Sequence, residues 1–396
     1  MIQLKKFGEV CDFVRGPFGG SLKKSCFVEK GYAVYEQQHA IYDQFSEIRY
    51  FVDQEKFNEM KRFELKSNDL IMSCSGTMGK VAIVPKNVKR GIINQALLKL
   101  TPKDFLDVQY LKYWMSSPDF DERIQENTVG AAIKNVASVK VLKQIDVPIP
   151  PLEEQKQIVA LLDKAFIAID QAKANIEKNI ANAKELFQSK LNNIFSQKGE
   201  SWEEKSLGEL GKVSMCKRIL KKQTTPDGEI PFYKIGTFGK EPNAFISKEI
   251  YDDFRSKYSF PKKGDILISA SGTIGRRVIY NGEPAYFQDS NIVWIDNKEE
   301  LVTNEYLYQF YGVCDWNPSK GATISRLYNA DLRKIKISFP SIKNQKEIVP
   351  KMVKLNKQTT QIEANYVKKL KDLEELKKSI LQKAFAGELT QKEIIA

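Results

Sequence analysis

The sequence predicts an α+β protein made of two mixed α/β domains that are separated by two long coiled-coil helices. Two observations predict this fold: segments of the first half recur in order in the second half, and each half ends in a long helical heptad pattern. The duplication predicts an internal pseudo-two-fold repeat. We place the domains at residues 1–150 and 199–341, and the helices at residues 151–198 and 342–396.

The repeat consists of paired segments that keep the same order along the chain. DLIMSCSGTMGK, which begins at Asp69, is matched by DILISASGTIGR from Asp265, and IPPLEEQKQIV from Ile149 is matched by FPSIKNQKEIV from Phe339. Collinear matches over two halves are hard to obtain by chance, so we interpret the chain as one unit written twice. Within each unit, β-branched and aromatic runs between glycine, proline and asparagine turns predict strands with a few helices.

The end of each unit carries apolar residues at alternating spacings of four and three, which is the seam of a coiled coil. Each helix is expected to run about 40 to 44 residues, or roughly 60 to 65 Å, which is longer than a typical helix of a globular domain. Pro350 is expected to be tolerated if it lies in the first helical turn, and to kink the helix if the helix begins earlier. The predicted seam residues are Ile158, Leu162, Ile169 and Ile176 in the first helix, and Ile348, Met352, Leu355, Ile362, Tyr366 and Leu373 in the second.

The chain is basic, since its 396 residues include 62 lysines and arginines against 50 acidic residues and give a net charge of +12. A surplus of that size favours a polyanionic partner, because each phosphate that a basic side chain neutralises releases condensed counterions. Basic clusters occur at residues 21–26, 216–222, 261–264 and 275–277, interleaved with tyrosine and phenylalanine.

The residue inventory argues against several kinds of chemistry. A single histidine, His39, leaves no Ser-His-Asp triad and no histidine-rich metal cage, and five scattered cysteines without a Cys-x-x-Cys pair argue against a zinc site. We therefore predict no catalytic residue and no metal ligand. No apolar run approaches the ~20 residues that span a bilayer, and the N-terminal segment lacks a signal-peptide core, so we expect a cytoplasmic protein.

The repeated Ser-Gly-Thr-x-Gly segment, at residues 75–79 and 271–275, fails as a nucleotide-binding loop. Cys74 stands where a P-loop needs its first glycine, and Val81 stands where it needs serine or threonine. Two interpretations remain. The segment is a hairpin turn between two strands, or it is a turn that also contacts a nucleic-acid phosphate with help from Lys80 in one copy and Arg276 and Arg277 in the other.

A proline-rich helix entry at residues 148–164, its echo at 339–355, the repeated turn and the segment LKKSILQKAFAGEL from Leu376 occur together in this chain. In these motifs, and over almost its whole length, the chain resembles the specificity subunits (HsdS) of type I restriction-modification systems. The resemblance implies that the two domains are target recognition domains, each reading one half of a bipartite, asymmetric DNA site. It also implies that the helices pack antiparallel, set the spacing between the half-sites and dock the modification subunits.

The residues that read bases should lie where the two copies differ most, at residues 15–44 and 216–240, and should be side chains that reach the edges of a DNA groove. Other basic residues, beside the turn and in a later matched pair of segments, are candidates as well. The candidate DNA-binding residues are Lys23, Lys24, Tyr35, Gln37, Gln38, Lys80, Lys134, Lys217, Arg218, Lys221, Lys222, Tyr233, Lys234, Arg276, Arg277 and Arg326.

The resemblance further implies the partners, which are double-stranded DNA, two modification (HsdM) subunits and two restriction (HsdR) subunits, with no membrane. Members of the family are non-catalytic, so the chain itself is expected to bind no cofactor. S-adenosylmethionine for adenine-N6 methylation, and ATP and Mg for restriction, are expected to enter through the partner subunits. Three alternatives stay open: the specificity subunit of a methylation-only system, a coiled-coil nucleic-acid-binding scaffold outside restriction systems, and a stand-alone nuclease or methyltransferase that turns over DNA by itself.

Overall fold

Contacts within the chain divide it into two units. The computed structural model describes residues 3–126, 138–197, 201–317 and 325–389. Unit 1 consists of residues 1–176 together with residues 367–396, and unit 2 consists of residues 177–366.

The first part of the chain contributes short strands, short helices and one long helix. The strands are β1 (Gln3–Lys6), β2 (Cys11–Arg15), β3 (Tyr32–Tyr35), β4 (Phe51–Val52), β5 (Leu70–Ser73), β6 (Val81–Ile83), β7 (Gly91–Ile93), β8 (Leu97–Pro102) and β9 (Asp146–Ile149). The helices are α1 (Phe7–Val10), α2 (Gln37–Ile41), α3 (Gln54–Glu59), α4 (Val108–Met115), α5 (Pro118–Glu126), α6 (Val139–Leu142) and α7 (Leu152–Phe195).

The second part of the chain repeats this order of elements. Its strands are β10 (Trp202–Ser206), β11 (Gly211–Ser214), β12 (Ile230–Tyr233), β13 (Phe245–Ile246), β14 (Ile266–Ser269), β15 (Arg277–Ile279), β16 (Tyr286–Phe287), β17 (Ile292–Asn297) and β18 (Lys336–Pro340). Its helices are α8 (Leu207–Leu210), α9 (Lys248–Lys257), α10 (Asn304–Phe310), α11 (Asn329–Lys334) and α12 (Ile342–Ala386).

The strand order of the sheets is the same in the two units. Unit 1 has sheets with the orders β2-β8-β5-β6, β4-β3-β7 and β1-β9, and unit 2 has β11-β17-β14-β15, β13-β12-β16 and β10-β18. Even the parallel pair recurs, as β3 with β7 and as β12 with β16. The predicted α+β fold and the internal repeat are thereby confirmed.

The core of unit 1 joins its four-stranded sheet to the two long helices. Phe7 and Trp114 lie edge to face at 5.1 Å between ring centroids, and both are buried. Leu162 from α7 and Leu381 from α12 belong to the same cluster. Burying such side chains is the main favourable term in folding, at about 1.5–3 kcal/mol each, so both helix segments are integral to unit 1.

The two long helices pair in opposite directions. In unit 1, Lys377 Nζ of α12 lies 3.7 Å from Asp170 Oδ1 of α7, and Lys173 pairs with Glu374. Residue numbers therefore rise along α7 as they fall along α12. In unit 2, Leu191 of α7 and Met352 of α12 lie in one core cluster. The predicted antiparallel coiled coil is confirmed.

Nine of the ten predicted seam positions are buried or half-buried, and one prediction was wrong. Ile362 is 43% exposed, whereas Thr359 is buried. The seam takes two successive steps of four, from Leu355 to Thr359 and on to Glu363, so it bypasses Ile362 before it reaches Tyr366. Glu363 is half-buried and lies 3.5 Å from Lys184 Nζ of α7.

A glutamine in the first turn of each long helix fastens that helix to the domain before it. Gln155 is fully buried; its Nε2 donates to Pro150 O (2.9 Å) and Phe105 O (3.1 Å), and its Oε1 accepts from Asp107 N (2.8 Å). Gln345 makes the same set of hydrogen bonds with Pro340 O (2.8 Å), Leu301 O (2.7 Å) and Thr303 N (2.9 Å). Asp107 and Thr303 are the N-cap residues of α4 and α10, so the glutamine also positions those helices.

Pro350 lies well inside α12, which continues through it to Ala386. The equivalent position of α7 is Ala160. Proline there has no N–H to donate to the preceding turn, and its ring is exposed.

Candidate nucleic-acid interface

The Ser-Gly-Thr-x-Gly segment is a hairpin turn in both units. In unit 1 it joins the antiparallel strands β5 and β6. Ser73 Oγ donates to Thr77 O (2.6 Å) and accepts from Lys80 N (3.0 Å), and Gly79 N donates to Ser73 O (2.9 Å). Gly76 has a φ of +64°, a conformation that L side chains avoid. These contacts confirm the hairpin interpretation.

The same turn joins β14 and β15 in unit 2. Ser269 Oγ donates to Thr273 O (2.6 Å) and accepts from Arg276 N (2.8 Å), and Gly272 has a φ of +67°. The turn is therefore a duplicated structural element. The serine at its start, Ser73 or Ser269, is needed for the hydrogen bonds of the turn and its glycine for the positive φ, which explains why both copies have the same sequence pattern.

The basic residues beside the turns differ in how firmly the protein holds them. Lys80 is exposed. Arg276 Nη1 donates to Phe238 O (2.8 Å), and the Arg277 guanidinium lies 4.5 Å from the centroid of the Tyr308 ring. Both arginines are thus half-buried and fixed by unit 2. A phosphate contact by any of these three residues stays a prediction.

Unit 2 contains a basic cleft of about 280 Å³. It lies between the end of β12, the loop after β11, the loop that precedes β17, and the residue that bridges to the turn, Arg326. Four of the predicted residues line it: Arg218, Lys221, Lys234 and Arg326. Residues distant in the sequence are thus brought together as a concave cationic surface, which suits an anionic ligand.

One carboxylate reduces the positive charge of this cleft. Asp289 Oδ2 accepts from Arg218 Nε at 2.8 Å, and the Asp289 side chain is 15% exposed while that of Arg218 is 66% exposed. The lining therefore has four cationic side chains against one neutralised carboxylate. The ion pair also fixes the direction in which the Arg218 guanidinium points.

The polar residues Gln288, Ser290 and Asn291 also line the cleft, and none of them is among the residues predicted from the sequence. They lie outside the variable segments at residues 15–44 and 216–240. The structure shows that Gln288 and Asn94 occupy equivalent positions, because the backbone N–H of each donates to the carbonyl of the equivalent tyrosine, Tyr233 or Tyr35, at 2.9 Å. Asparagine and glutamine at matched sites beside a strand end are the side chains expected for reading bases.

The predicted residues of unit 1 are less closely gathered. Gln37 opens α2, and its Oε1 accepts a hydrogen bond from Ser75 Oγ of the turn at 3.3 Å. Gln38 is its half-buried neighbour. Lys23 and Lys24 are exposed; Lys23 lies between the short 3₁₀ turns Gly19–Leu22 and Lys24–Cys26, and Lys24 is the first residue of the second turn.

Tyr35 is corrected from a candidate contact to a core residue. Its side chain is fully buried, and its hydroxyl donates to Lys89 O at 2.6 Å. Burial raises the pKa of Tyr35 to about 12, so the hydroxyl stays a donor. Tyr233, at the equivalent position of unit 2, is half-buried and stacks on Phe287 with 5.8 Å between the ring centroids.

The remaining predicted residues fall outside the cleft or outside the described residues. Lys217 is exposed, with Nζ 4.9 Å from the centroid of the Tyr258 ring, and Lys222 is exposed on the 3₁₀ turn Lys221–Gln223. Lys134 lies outside the described residues. Within the described parts of the chain no group of three or more metal-binding side chains is found, and no helix there is long and apolar enough to cross a membrane.

The model of the type I restriction modification DNA specificity domain matches this chain twice, over residues 2–182 and 199–375. The chain belongs to this family. Each match covers one copy of the repeat together with most of the helix that follows it, so the family model and the duplicated topology identify the same two copies.

Relatives of this type I specificity chain carry the same assignment. It is 50% identical over 225 residues to a protein of Haemophilus influenzae that is named as a type I restriction enzyme specificity subunit, a match that covers 56% of this chain and 58% of that relative. It is 27% identical over 319 residues to the StySPI specificity subunit of Salmonella potsdam, covering 74% of this chain and 67% of the relative. A chain from a solved type I restriction-modification system has the same fold, with a TM-score of 0.78, 18% identity and 98% of both chains covered.

Proposed function

We propose that this chain is the sequence-specific DNA-binding subunit of a type I restriction-modification complex. Each unit reads one half of a bipartite, asymmetric site, and the paired helices α7 and α12 set the spacing between the halves and dock the modification subunits. The observation that carries this proposal is one fold written twice with different polar residues at equivalent places, as at Gln288 and Asn94.

In this proposal the chain binds DNA and its partner subunits carry out catalysis. The basic cleft of unit 2 suits DNA, and DNA binding of this kind is governed by phosphate neutralisation together with base contacts in the grooves. Catalysis is assigned to partners: two modification subunits that methylate adenine N6 with S-adenosylmethionine, and two restriction subunits that use ATP and Mg. The chain itself contributes no cofactor site in this proposal, and it acts in the cytoplasm, where the host DNA lies.

The test is a domain exchange in the assembled complex. The full chain is produced with its modification subunit, and the methylated motif is determined by sequencing modified adenine in the host genome. Replacing residues 199–341 by the equivalent domain of a related subunit is expected to change one half of the motif and to leave the other half and the spacing intact. Methylation without sequence preference, or a change in both halves, would contradict the proposal.

Adding the restriction subunit to the same complex separates the two related alternatives. Cleavage of unmodified DNA that carries the motif is expected for a restriction system. Methylation with the same motif but without cleavage would place the chain in a methylation-only system.

A further inference from the structure

The amide of Gln288 is held in one orientation at the edge of the basic cleft. Its Oε1 accepts from Ile235 N at 2.9 Å, and since a backbone N–H only donates, the atom that faces Ile235 is the oxygen. The residue's own N–H donates to Tyr233 O at 2.9 Å, which fixes its main chain as well. In the described part of the chain no acceptor is assigned to Nε2, so its two N–H groups remain available to a ligand.

The side-chain amide of Asn291, on the other side of this loop, is also held with its oxygen toward the protein. Ser271 Oγ of the turn donates to Asn291 Oδ1 at 2.7 Å, and Asn291 O accepts from Ala270 N at 2.7 Å. The oxygen of the amide is again used within the protein. The amide nitrogen is left as the polar group that a ligand can meet.

Asp289 is the one carboxylate among the residues that line the cleft, and it is already engaged. It accepts from Arg218 Nε (2.8 Å) and from Ser290 Oγ (3.4 Å). Both of these hydrogen bonds use Oδ2 of Asp289. Most of the groups that remain for a ligand are donors, namely the amide nitrogens of Gln288 and Asn291 and the cationic ends of Arg218, Lys221, Lys234 and Arg326.

A lining that consists mostly of donors favours a ligand edge made of acceptors. In the major groove guanine presents two acceptors, N7 and O6, whereas adenine and cytosine each present an amino donor that would face the donors of the cleft, and thymine presents one acceptor beside a methyl group. A phosphate also presents only acceptors, but a phosphate contact carries no sequence information.

The loop that carries these amides differs between the two units, which favours base reading over phosphate binding. The same two backbone hydrogen bonds bracket it in both units. Asn94 and Ala96 make them in unit 1, whereas Gln288 and Asn291 make them in unit 2, so the loop of unit 2 is one residue longer. A contact shared by every half-site would not need such a difference.

We propose that Gln288 is a specificity-determining residue that recognises a guanine in the half-site bound by unit 2, with Asn291 and the oriented Arg218 beside it. The proposal rests on the proposed function of the chain as a reader of a bipartite site. Asn94 of unit 1, whose Oδ1 accepts from Ala96 N at 3.0 Å, is the matched residue for the other half-site.

The first experiment uses the unaltered complex of the full chain with its modification subunits. Duplexes that carry the methylated motif are prepared with each guanine of the unit 2 half replaced in turn by 7-deazaguanine, which lacks the N7 acceptor. Binding is expected to weaken about tenfold or more at one guanine. If no such substitution matters, while neutral methylphosphonate linkages in the same half do, the cleft binds phosphate and the guanine proposal is overturned.

The second experiment exchanges the donor for an acceptor. In Gln288→Glu one carboxylate oxygen can still accept from Ile235 N while the other presents an acceptor, so the methylated motif is expected to lose its guanine at one position of the unit 2 half, in favour of cytosine. Gln157→Glu, an exposed change on α7, is the charge-matched control, and Asn94→Asp is expected to leave the unit 2 half unchanged.

An unchanged motif in Gln288→Glu, or a unit 2 half without guanine, would overturn the role of Gln288 and leave the proposed function standing. Failure of the proposed function has a different signature, because the unaltered complex would then show no bipartite motif at all.

Discussion

Gln155 and Gln345 show how a single side chain links a helix to the domain in front of it. Each is fully buried, and its amide hydrogen-bonds two carbonyl oxygens and one backbone N–H of the preceding domain. A buried polar group that loses its partner costs about 1–3 kcal/mol. The glutamine therefore contributes more to the stability of its unit than the exposed residues beside it on the helix do.

Gln155→Met is expected to destabilise unit 1 by about 2–4 kcal/mol, because methionine fills the space but satisfies none of the three backbone groups. The measurement is hydrogen exchange by mass spectrometry on the full chain, with loss of protection expected in unit 1. Gln345→Met should produce the same loss in unit 2, and Gln157→Met, an exposed position, should alter neither. Equal protection in Gln155→Met and the unaltered protein would contradict this role.

At the residue scale the sequence predicted the types of side chain better than their placement. The glutamines lie in the repeated segment that signalled the start of each long helix, yet their hydrogen-bond partners come from loops about 40 to 50 residues earlier, at Leu301, Thr303, Phe105 and Asp107. Tyr35 and Tyr233 were predicted to be alike. One is buried and the other half-buried, because burial depends on the loops packed over them and not on strand position.

The coiled-coil segment of unit 1 combines apolar packing with charge. Lys173 pairs with Glu374, and Lys377 lies beside Asp170. The hydrogen bond from Lys173 is the main cause that lowers the pKa of Glu374 below its ordinary value. The Glu374 side chain is 57% exposed, so solvent and salt screen the pair.

Reversing one charge of this pair is expected to destabilise unit 1 by about 0.5–1 kcal/mol, and reversing both should restore most of the loss. The variants are Lys173→Glu, Glu374→Lys and the double exchange, compared by urea denaturation at low and high salt. Because the pKa of Glu374 is lowered on folding, the stabilisation from the pair is present above the carboxyl pKa of the unfolded chain and is lost as the pH falls through the lower, folded value. Single reversals that cost the same at 1 M salt, or in strong acid, would contradict an electrostatic origin.

The heptad pattern predicted the long helices because seam spacing is a local property of the sequence. It failed at Ile362, where an apolar side chain in the expected register lies on the exposed face and Thr359 and Glu363 take the seam. The choice between the two registers depends on the partner helix, which offers Lys184 to Glu363. The sequence of one helix does not contain that information.

Unit 1 is assembled from two separate parts of the chain. Leu381 and Ala384 of α12 lie in the same core cluster as Leu162, Phe166 and Ile169 of α7. Unit 2 is built from one continuous stretch, residues 177–366. The two copies of the repeat are therefore equivalent in topology but not in how the chain completes them.

Ending the chain after Tyr366 is expected to unfold or loosen unit 1 and to spare unit 2. The deletion removes Leu381 and Ala384 from the core and leaves a groove along α7, at a cost of several kcal/mol by the usual scale for buried apolar side chains. Hydrogen exchange should show lost protection in the first part of α7 and in α4, with the sheet β11-β17-β14-β15 still protected. Equal protection of both units in the shortened chain would contradict the assignment of residues 367–386 to the core of unit 1.

The assembly of unit 1 from two separate segments of the chain also determines when it can fold during synthesis. A ribosome delivers residues 367–386 only after the whole of residues 177–366, so unit 2 has its complete chain first. Until the later segment leaves the exit tunnel, the core cluster of unit 1 lacks Leu381 and Ala384, and the part of the cluster that they complete is open to solvent, chaperones or other nascent chains. The copy that is synthesised first is thus the copy that completes its folding last. The N-terminal domain is therefore the part of this protein that is most exposed to misfolding and aggregation during synthesis.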